Sequence, residues 1–190
     1  MNEPMGIAVL AIYLIIFVFA FFIALIPVVI NGIGLARLCN KMGAFTPAWA
    51  WIWSLLVPSI ALLRLGDIAG EWQDPLGCRR HFRMGVVLMI ISAATLVLIP
   101  FFAFPLAFLP ENPRFEAALT FFGIALLVLY IVAMVSAIWL TVLQFISYFR
   151  IFKLYVPTWG VWLMLLGMFL LPQLSFLILP ILSFLPMRDA

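Results

Sequence analysis

One 15-residue apolar segment, Trp49–Leu63, constrains the fold of this chain more than any other feature. It lies between two groups of basic residues, and a helix of this length reaches only about 22 Å. The hydrocarbon core of a bilayer is about 30 Å thick, so the segment is too short to cross comfortably. Pro58 also interrupts it. The segment is therefore predicted to dip into a bilayer and return to the side it left.

The composition explains why a bilayer is the relevant solvent. Of the 190 residues, 68% are hydrophobic and 9% are charged. In soluble domains, about 45–50% of residues are apolar and about 25% are charged. A soluble fold cannot hide so much apolar surface, so lipid must cover it. The net charge of +3 comes from Lys and Arg residues beside apolar runs. This pattern is typical of membrane-flanking cations and does not indicate nucleic-acid binding.

Three apolar segments are long enough to span a bilayer: Met5–Ile30, Met84–Leu109 and Ala117–Phe149. Residues 110–113 (Pro-Glu-Asn-Pro) are predicted to form a tight turn, so the second and third spans should form an antiparallel hairpin. The predicted fold is all-α: a single integral membrane domain over residues 1–190, with three transmembrane helices and one or two proline-broken segments.

The last apolar segment, Thr158–Pro186, contains Pro172 and Pro180. It is predicted to be a spanning helix, a broken helix or a re-entrant hairpin. Irregular backbone at membrane depth is tolerated only where protein or water covers it.

Basic residues distinguish the possible topologies, because they concentrate on the cytoplasmic side. If Trp49–Leu63 spans, the ten Lys and Arg residues divide six to four. Suppose instead that Trp49–Leu63 returns to the side it left and that the N-terminus is outside. If the last apolar segment also returns, only Arg114 lies outside. The cytoplasmic residues are then Arg37, Lys41, Arg64, Arg79, Arg80, Arg83, Arg150, Lys153 and Arg188. The re-entrant topology is therefore preferred.

A weak internal similarity relates residues 5–63 to residues 117–186. Each contains a long helix, a short basic linker, a Pro-x-Trp-small motif and a proline-broken apolar run. The motifs are Pro47-Ala48-Trp49-Ala50 and Pro157-Thr158-Trp159-Gly160. The two copies have the same orientation, so they predict a parallel repeat. The alternative is coincidence, because proline at a helix start and tryptophan at an interface are both common.

Tryptophans cluster in the two proline-broken segments, where they are predicted to anchor at the headgroup level. An aromatic pocket for a lipid tail or a pigment is the alternative. The candidate lipid and interface contacts are Trp49, Trp51, Trp53, Pro58, Trp72, Arg79, Arg80, Arg83, Trp159 and Trp162.

The stretch Arg64–Arg83 is the one sizeable polar region, predicted to be an interfacial helix followed by a basic collar. Its apolar face is Leu65, Ile68, Ala69 and Trp72. Asp67, Glu71 and Asp74 form an acidic stripe, predicted to be solvated; docking of a basic partner or a divalent cation is the alternative. His81, the single histidine, is predicted to lie on the surface.

Small residues predict sites of close helix contact at Ala20, Ala24, Gly32 and Gly34, either within the chain or with another subunit. Gln144 can bridge helices. The three clear spans contain no Asp, Glu, Lys, Arg or His, the residues that usually mark proton relays or catalytic dyads in membranes. No catalytic residue, cofactor site or metal site is therefore predicted.

One stretch contains the motif residues Lys41-Met42-Gly43, Pro47-x-Trp49-Ala50, Pro58 and Leu65-Gly66-Asp67-Ile68-Ala69-Gly70. This arrangement resembles that of small bacterial inner-membrane proteins of unknown function. The resemblance covers about 35 residues and implies residence in the bacterial inner membrane, without implying an activity.

The predicted function is that of a non-enzymatic accessory or assembly subunit of a larger inner-membrane complex. Its predicted partners are membrane lipids and other membrane protein subunits. The alternative is a small transporter module for an apolar or neutral solute, because broken helices line transport sites.

Overall fold

The computed structural model describes residues 3–74, 81–108, 116–171 and 175–187. Within these ranges the chain forms α-helices and no β-strand, as predicted. The helices are α1 (Glu3–Lys41), α2 (Pro47–Leu56), α3 (Pro58–Gln73), α4 (His81–Phe108), α5 (Glu116–Lys153), α6 (Thr158–Leu170) and α7 (Ser175–Phe184).

Three of these helices are long and apolar enough to cross a membrane. The qualifying stretches are Ile12–Lys41 in α1, His81–Phe104 in α4 and Leu119–Lys153 in α5. They agree with the three predicted spans, and the fold is that of an all-α polytopic membrane protein. The predicted turn at residues 110–113 lies outside the described residues.

Helix α1 extends further than its predicted apolar run, continuing through residues 31–41. It ends in a Schellman motif around Gly43, whose φ of 66° favours glycine. The Ala44 N–H donates to the Cys39 carbonyl at 2.9 Å, and the Gly43 N–H donates to the Asn40 carbonyl at 3.3 Å. These bonds satisfy carbonyls that the helix end would otherwise leave unpaired.

Both proline-broken segments break at the residue before a proline. Val57, before Pro58, has φ −137° and ψ 74°. Leu171, before Pro172, has φ −132° and ψ 83°. A following proline disfavours the α conformation, so each short helix ends there. The two breaks are alike, which agrees with the predicted repeat. The repeat and the single domain both stay predictions.

The chain divides into two compact units. Unit 1 contains residues 1–65 and 151–190, and unit 2 contains residues 66–150. In unit 1, α1 packs against α2 and α7. A Cβ built at Gly32 would lie 2.6 Å from the Leu55 side chain, and one at Gly34 would lie 2.6 Å from the Pro180 backbone. Both contacts fall in the second half of α1, which therefore carries the packing of this unit.

In unit 2, α4 and α5 form the predicted antiparallel hairpin. The Ser92 hydroxyl donates to the Ser136 hydroxyl at 2.9 Å, and the Phe102 and Phe122 ring centroids are 6.1 Å apart. Both contacts show that α4 and α5 run in opposite directions. The last part of α3 also packs on α5 in this unit.

Candidate functional site

The side chain of Lys41 links both outer ends of the α6–α7 segment in unit 1. Its Nζ donates to the Leu185 carbonyl, just after α7. It also lies 5.3 Å from the Tyr155 ring centroid, just before α6, close enough for a cation–π interaction. The segment therefore begins and ends beside the last turn of α1.

The direction of α7 agrees with this arrangement. Gly34 contacts Pro180, and the Arg37 guanidinium lies 4.6 Å from the Phe184 ring centroid. From the first contact to the second, the residue number increases in both helices. Helix α7 therefore runs parallel to the end of α1. Helices α6 and α7 have 13 and 10 residues, so they reach only about 20 and 15 Å. The structure thus resolves Thr158–Pro186 into two short helices, neither long enough to span alone.

The predicted tryptophan contacts lie mainly on exposed surface. Trp49 and Trp53 stack one helical turn apart on α2, with ring centroids 5.7 Å apart. Trp53 and Pro58 are half-buried, and Pro58 begins α3. The predicted contacts that are exposed are Trp49, Trp51, Trp72, Trp159 and Trp162. Their contact with lipid stays a prediction.

The predicted small-residue contacts divide into two groups along α1. Gly32 and Gly34 are buried against α2 and α7, whereas Ala20 and Ala24 are exposed. Gln144 on α5 is half-buried. The small residues of the second half of α1 are therefore used within the chain, and those of the first half are not.

Two sequence predictions in the polar region are wrong. Asp67 was expected on a solvated stripe, but it is 3% exposed; His81 was expected on the surface, but it is 8% exposed. Glu71 and Asp74 are exposed, as predicted. Helix α3 packs closely on α5 at Gly66, the residue before Asp67, so part of its polar side is covered.

Gly66 permits the close packing of α3 on α5. A Cβ at this position would lie 2.6 Å from the Ser147 Cα, nearer than real side chains approach. Gln73, about two turns further along α3, donates from Nε2 to the Arg150 carbonyl at 3.0 Å. The same face of α3 therefore meets α5 at both positions.

The register of the α4–α5 hairpin places His81 level with this contact. His81 is eleven residues before Ser92, and Ser147 is eleven residues after Ser136. Since the two serines are hydrogen-bonded and the helices are antiparallel, His81 and Ser147 lie at about the same height. Arg150 follows Ser147 by one turn, and its charge acts on the His81 ring. The resulting polar cluster is Gln73, His81, Ser147 and Arg150.

Several atoms of this polar cluster lack hydrogen-bond partners within the described ranges. They are Nδ1 and Nε2 of His81 and Nη1 of Arg150, all buried. Each buried polar atom left without a partner costs free energy. The cluster therefore has donor capacity that the described residues do not use.

Three further contacts are predicted in this region, at Arg79, Arg80 and Arg83. Arg83 is exposed on the first turn of α4, and Arg79 and Arg80 lie outside the described residues. Among described residues, no three His, Cys, Asp or Glu side chains are grouped so that they could hold a metal ion.

Sequence reasoning missed the polar cluster because it assigned polar residues to solvent. The signal was present in Gly66 and Gly70, which are four residues apart and lie on the same face of α3 as Gln73. Small residues with this spacing allow helices to approach closely. Comparison with known proteins gave no matching family model, no similar curated protein and no similar solved structure.

Proposed function

We propose that this protein is a non-enzymatic accessory or assembly subunit of a larger membrane complex, acting through helix packing and lipid contact. The observation that supports this most is the first half of α1. Residues 12–26 are exposed on every side of the helix, although almost all are apolar. This half of α1 is thus available to lipid or to a helix of another subunit.

Ala20 and Ala24 define the face of α1 that a second helix would contact. They are one turn apart, and their small side chains let two backbones approach closely, as membrane helix pairs require. Large aromatic side chains dominate much of the remaining surface, including Phe17, Phe19 and Phe22. The second half of α1 packs within the chain, so it would hold the exposed half in a fixed position.

The proposal is tested by affinity purification in mild detergent, followed by mass spectrometry. A partner that co-purifies at fixed stoichiometry with the native chain should be lost from the Ala20→Leu/Ala24→Leu variant. Val18→Leu, on the opposite side of α1, is the matched control and should retain the partner. Recovery of a monodisperse monomer without a stoichiometric partner would contradict the subunit role.

We further propose the bacterial inner membrane as its location, with the N-terminus outside and the basic linkers in the cytoplasm. The distribution of Lys and Arg supports this orientation, and the resemblance around Lys41 to Gly70 supports the membrane. The return of α6–α7 to Lys41 supports a re-entrant hairpin on that side.

A small transporter module for an apolar or neutral solute is the second candidate. The α6–α7 pair favours it, because short broken helices that meet at membrane depth form the sites of many transporters. A transporter purified alone should bind solute, with a change in tryptophan fluorescence from α2 and α6. An unchanged spectrum across a panel of neutral solutes, together with a stoichiometric partner, would favour the subunit.

A further inference from the structure

We propose that the end of α1 in unit 1 binds the headgroup of an anionic phospholipid, with Arg37 and Lys41 as its donors. This inference rests on the lipid contact proposed above and specifies the class of lipid. The two residues are four apart, so they lie on the same side of α1, and both are exposed. Like charges at this spacing repel each other, and an anion bound beside them offsets the repulsion.

The described part of unit 1 has no carboxylate that could neutralise these two cations. Helices α2, α6 and α7 contain neither Asp nor Glu. The acidic residue of α1 is Glu3, roughly 50 Å before Arg37 along the helix. No other described residue of unit 1 is acidic. The positive charge at the end of α1 is therefore not balanced by the described residues of its own unit.

Contacts with α7 hold both side chains in place without using all of their donors. The Arg37 guanidinium lies 4.6 Å from the Phe184 ring centroid, in a cation–π contact that requires none of its N–H donors. Lys41 donates one of its three ammonium N–H groups to the Leu185 carbonyl. Both cations are thus positioned before a ligand arrives, which reduces the entropy that binding costs.

An exposed apolar stripe on α7, made of Leu177, Ile181 and Phe184, leads to the cations. Their spacing of four and three residues places them on one side of the helix, whereas Leu179 on the other side is buried. The stripe is about 10 Å long and ends at Phe184, against Arg37. Apolar surface that ends at exposed cations matches the acyl chain and the phosphate of a lipid.

An anionic phospholipid fits these features better than a zwitterionic lipid or free phosphate. Guanidinium groups bind phosphate oxygens through parallel charge-assisted hydrogen bonds, and basic residues beside a membrane helix attract anionic headgroups. A zwitterionic headgroup adds an ammonium that the two cations repel. Free phosphate would contact the cations and leave the stripe on α7 unused. The surface therefore selects a ligand with a negative headgroup and an acyl chain.

The experiment is a lipid titration of the full chain, delipidated in detergent. Phosphatidylglycerol and phosphatidylcholine are titrated separately, and bound lipid is counted by native mass spectrometry. We expect saturable binding of phosphatidylglycerol, about tenfold tighter than that of phosphatidylcholine, and no displacement by an equal concentration of inorganic phosphate. Arg37→Gln and Lys41→Gln should each weaken phosphatidylglycerol binding by about tenfold, since a charge-assisted hydrogen bond is lost.

Three further variants separate a specific site from general attraction. Arg83→Gln is the matched control: it removes an exposed arginine of unit 2 and should leave the affinity within about twofold. Arg37→Lys keeps the charge and should bind with intermediate affinity, because the parallel hydrogen bonds are lost. Ile181→Ser interrupts the stripe and should weaken binding of both lipids. Thermal midpoints show that each variant is folded, and Arg37→Gln tests the site even if Lys41→Gln loosens α7.

Several results would overturn the inference. They are equal affinity for the two lipids, displacement of the lipid by phosphate, unchanged affinity in Arg37→Gln, and an equal loss in Arg83→Gln. Equal affinity for the two lipids would leave the proposed lipid contact standing, whereas binding of neither lipid would contradict both. The subunit role is decided separately, by the protein that co-purifies.

Discussion

Tyr155 shows at the residue scale how burial sets the chemistry of a side chain beside the α6–α7 ends. It is buried, its hydroxyl has no hydrogen-bond partner within the described residues, and its ring faces Lys41. Burial raises the pKa of the Tyr155 phenol, because the phenolate loses more hydration than the neutral form. The neutral phenol is therefore the form that the fold favours.

This raised pKa predicts an alkaline loss of stability. The contribution of Tyr155 is fully present below its ordinary pKa of about 10 and is lost as pH rises through the higher pKa of the folded state. Tyr155→Phe should change the free energy of unfolding by less than about 1 kcal/mol at neutral pH and reduce the alkaline loss. The alkaline loss is measured as the difference between the thermal midpoints at about pH 8 and about pH 11, which lie on either side of the ordinary pKa of a phenol. Exposed Tyr130→Phe is the control; an undiminished alkaline loss in Tyr155→Phe would contradict the prediction.

At the element scale, the contact between α3 and α5 depends on the missing side chain of Gly66. In Gly66→Ala the new Cβ would lie 2.6 Å from the Cα of Ser147. The two helices must therefore separate, which should lower the free energy of unfolding by about 1–3 kcal/mol. Gly123→Ala, on α5, meets no atom within 4 Å and should be neutral or stabilising by up to about 1 kcal/mol. Denaturant unfolding in detergent compares them, and equal stability of the two variants would disprove close packing at Gly66.

The α6–α7 pair makes a second prediction at this scale, because Lys41 contacts the chain at both of its outer ends. In a Cys39→Ser/Cys78→Ser background, cysteines placed at Lys153 and Met187 should be labelled from the same side of the membrane by an impermeant thiol reagent. Asn112→Cys, between α4 and α5 in sequence, should be labelled from the opposite side. If the cysteines at positions 153 and 187 were labelled from opposite sides, Thr158–Pro186 would cross the membrane and the prediction would be wrong.

At the scale of the whole molecule, the basic residues predict orientation. Glu71→Cys and Lys153→Cys should both be labelled from the cytoplasmic side, since the re-entrant topology places nine of the ten Lys and Arg residues there. Glu71 is chosen because it is exposed, whereas the neighbouring Gln73 is bonded to Arg150. Intact cells and inverted vesicles give the two readouts. Labelling of Glu71→Cys from outside would make Trp49–Leu63 a true span.

The sequence alone determined the helical class, the three long spans and the break at Pro58, while it left Thr158–Pro186 open as a span, a broken helix or a re-entrant hairpin. These features depend on local properties: the length of an apolar run, and the clash between a proline ring and the residue before it. The tertiary structure decided the burial of Asp67 and His81 and the contact of Lys41 with both ends of α6–α7. These depend on residues far apart in sequence, such as Gly66 and Ser147, because polar side chains of a short helix are buried only when another helix covers them.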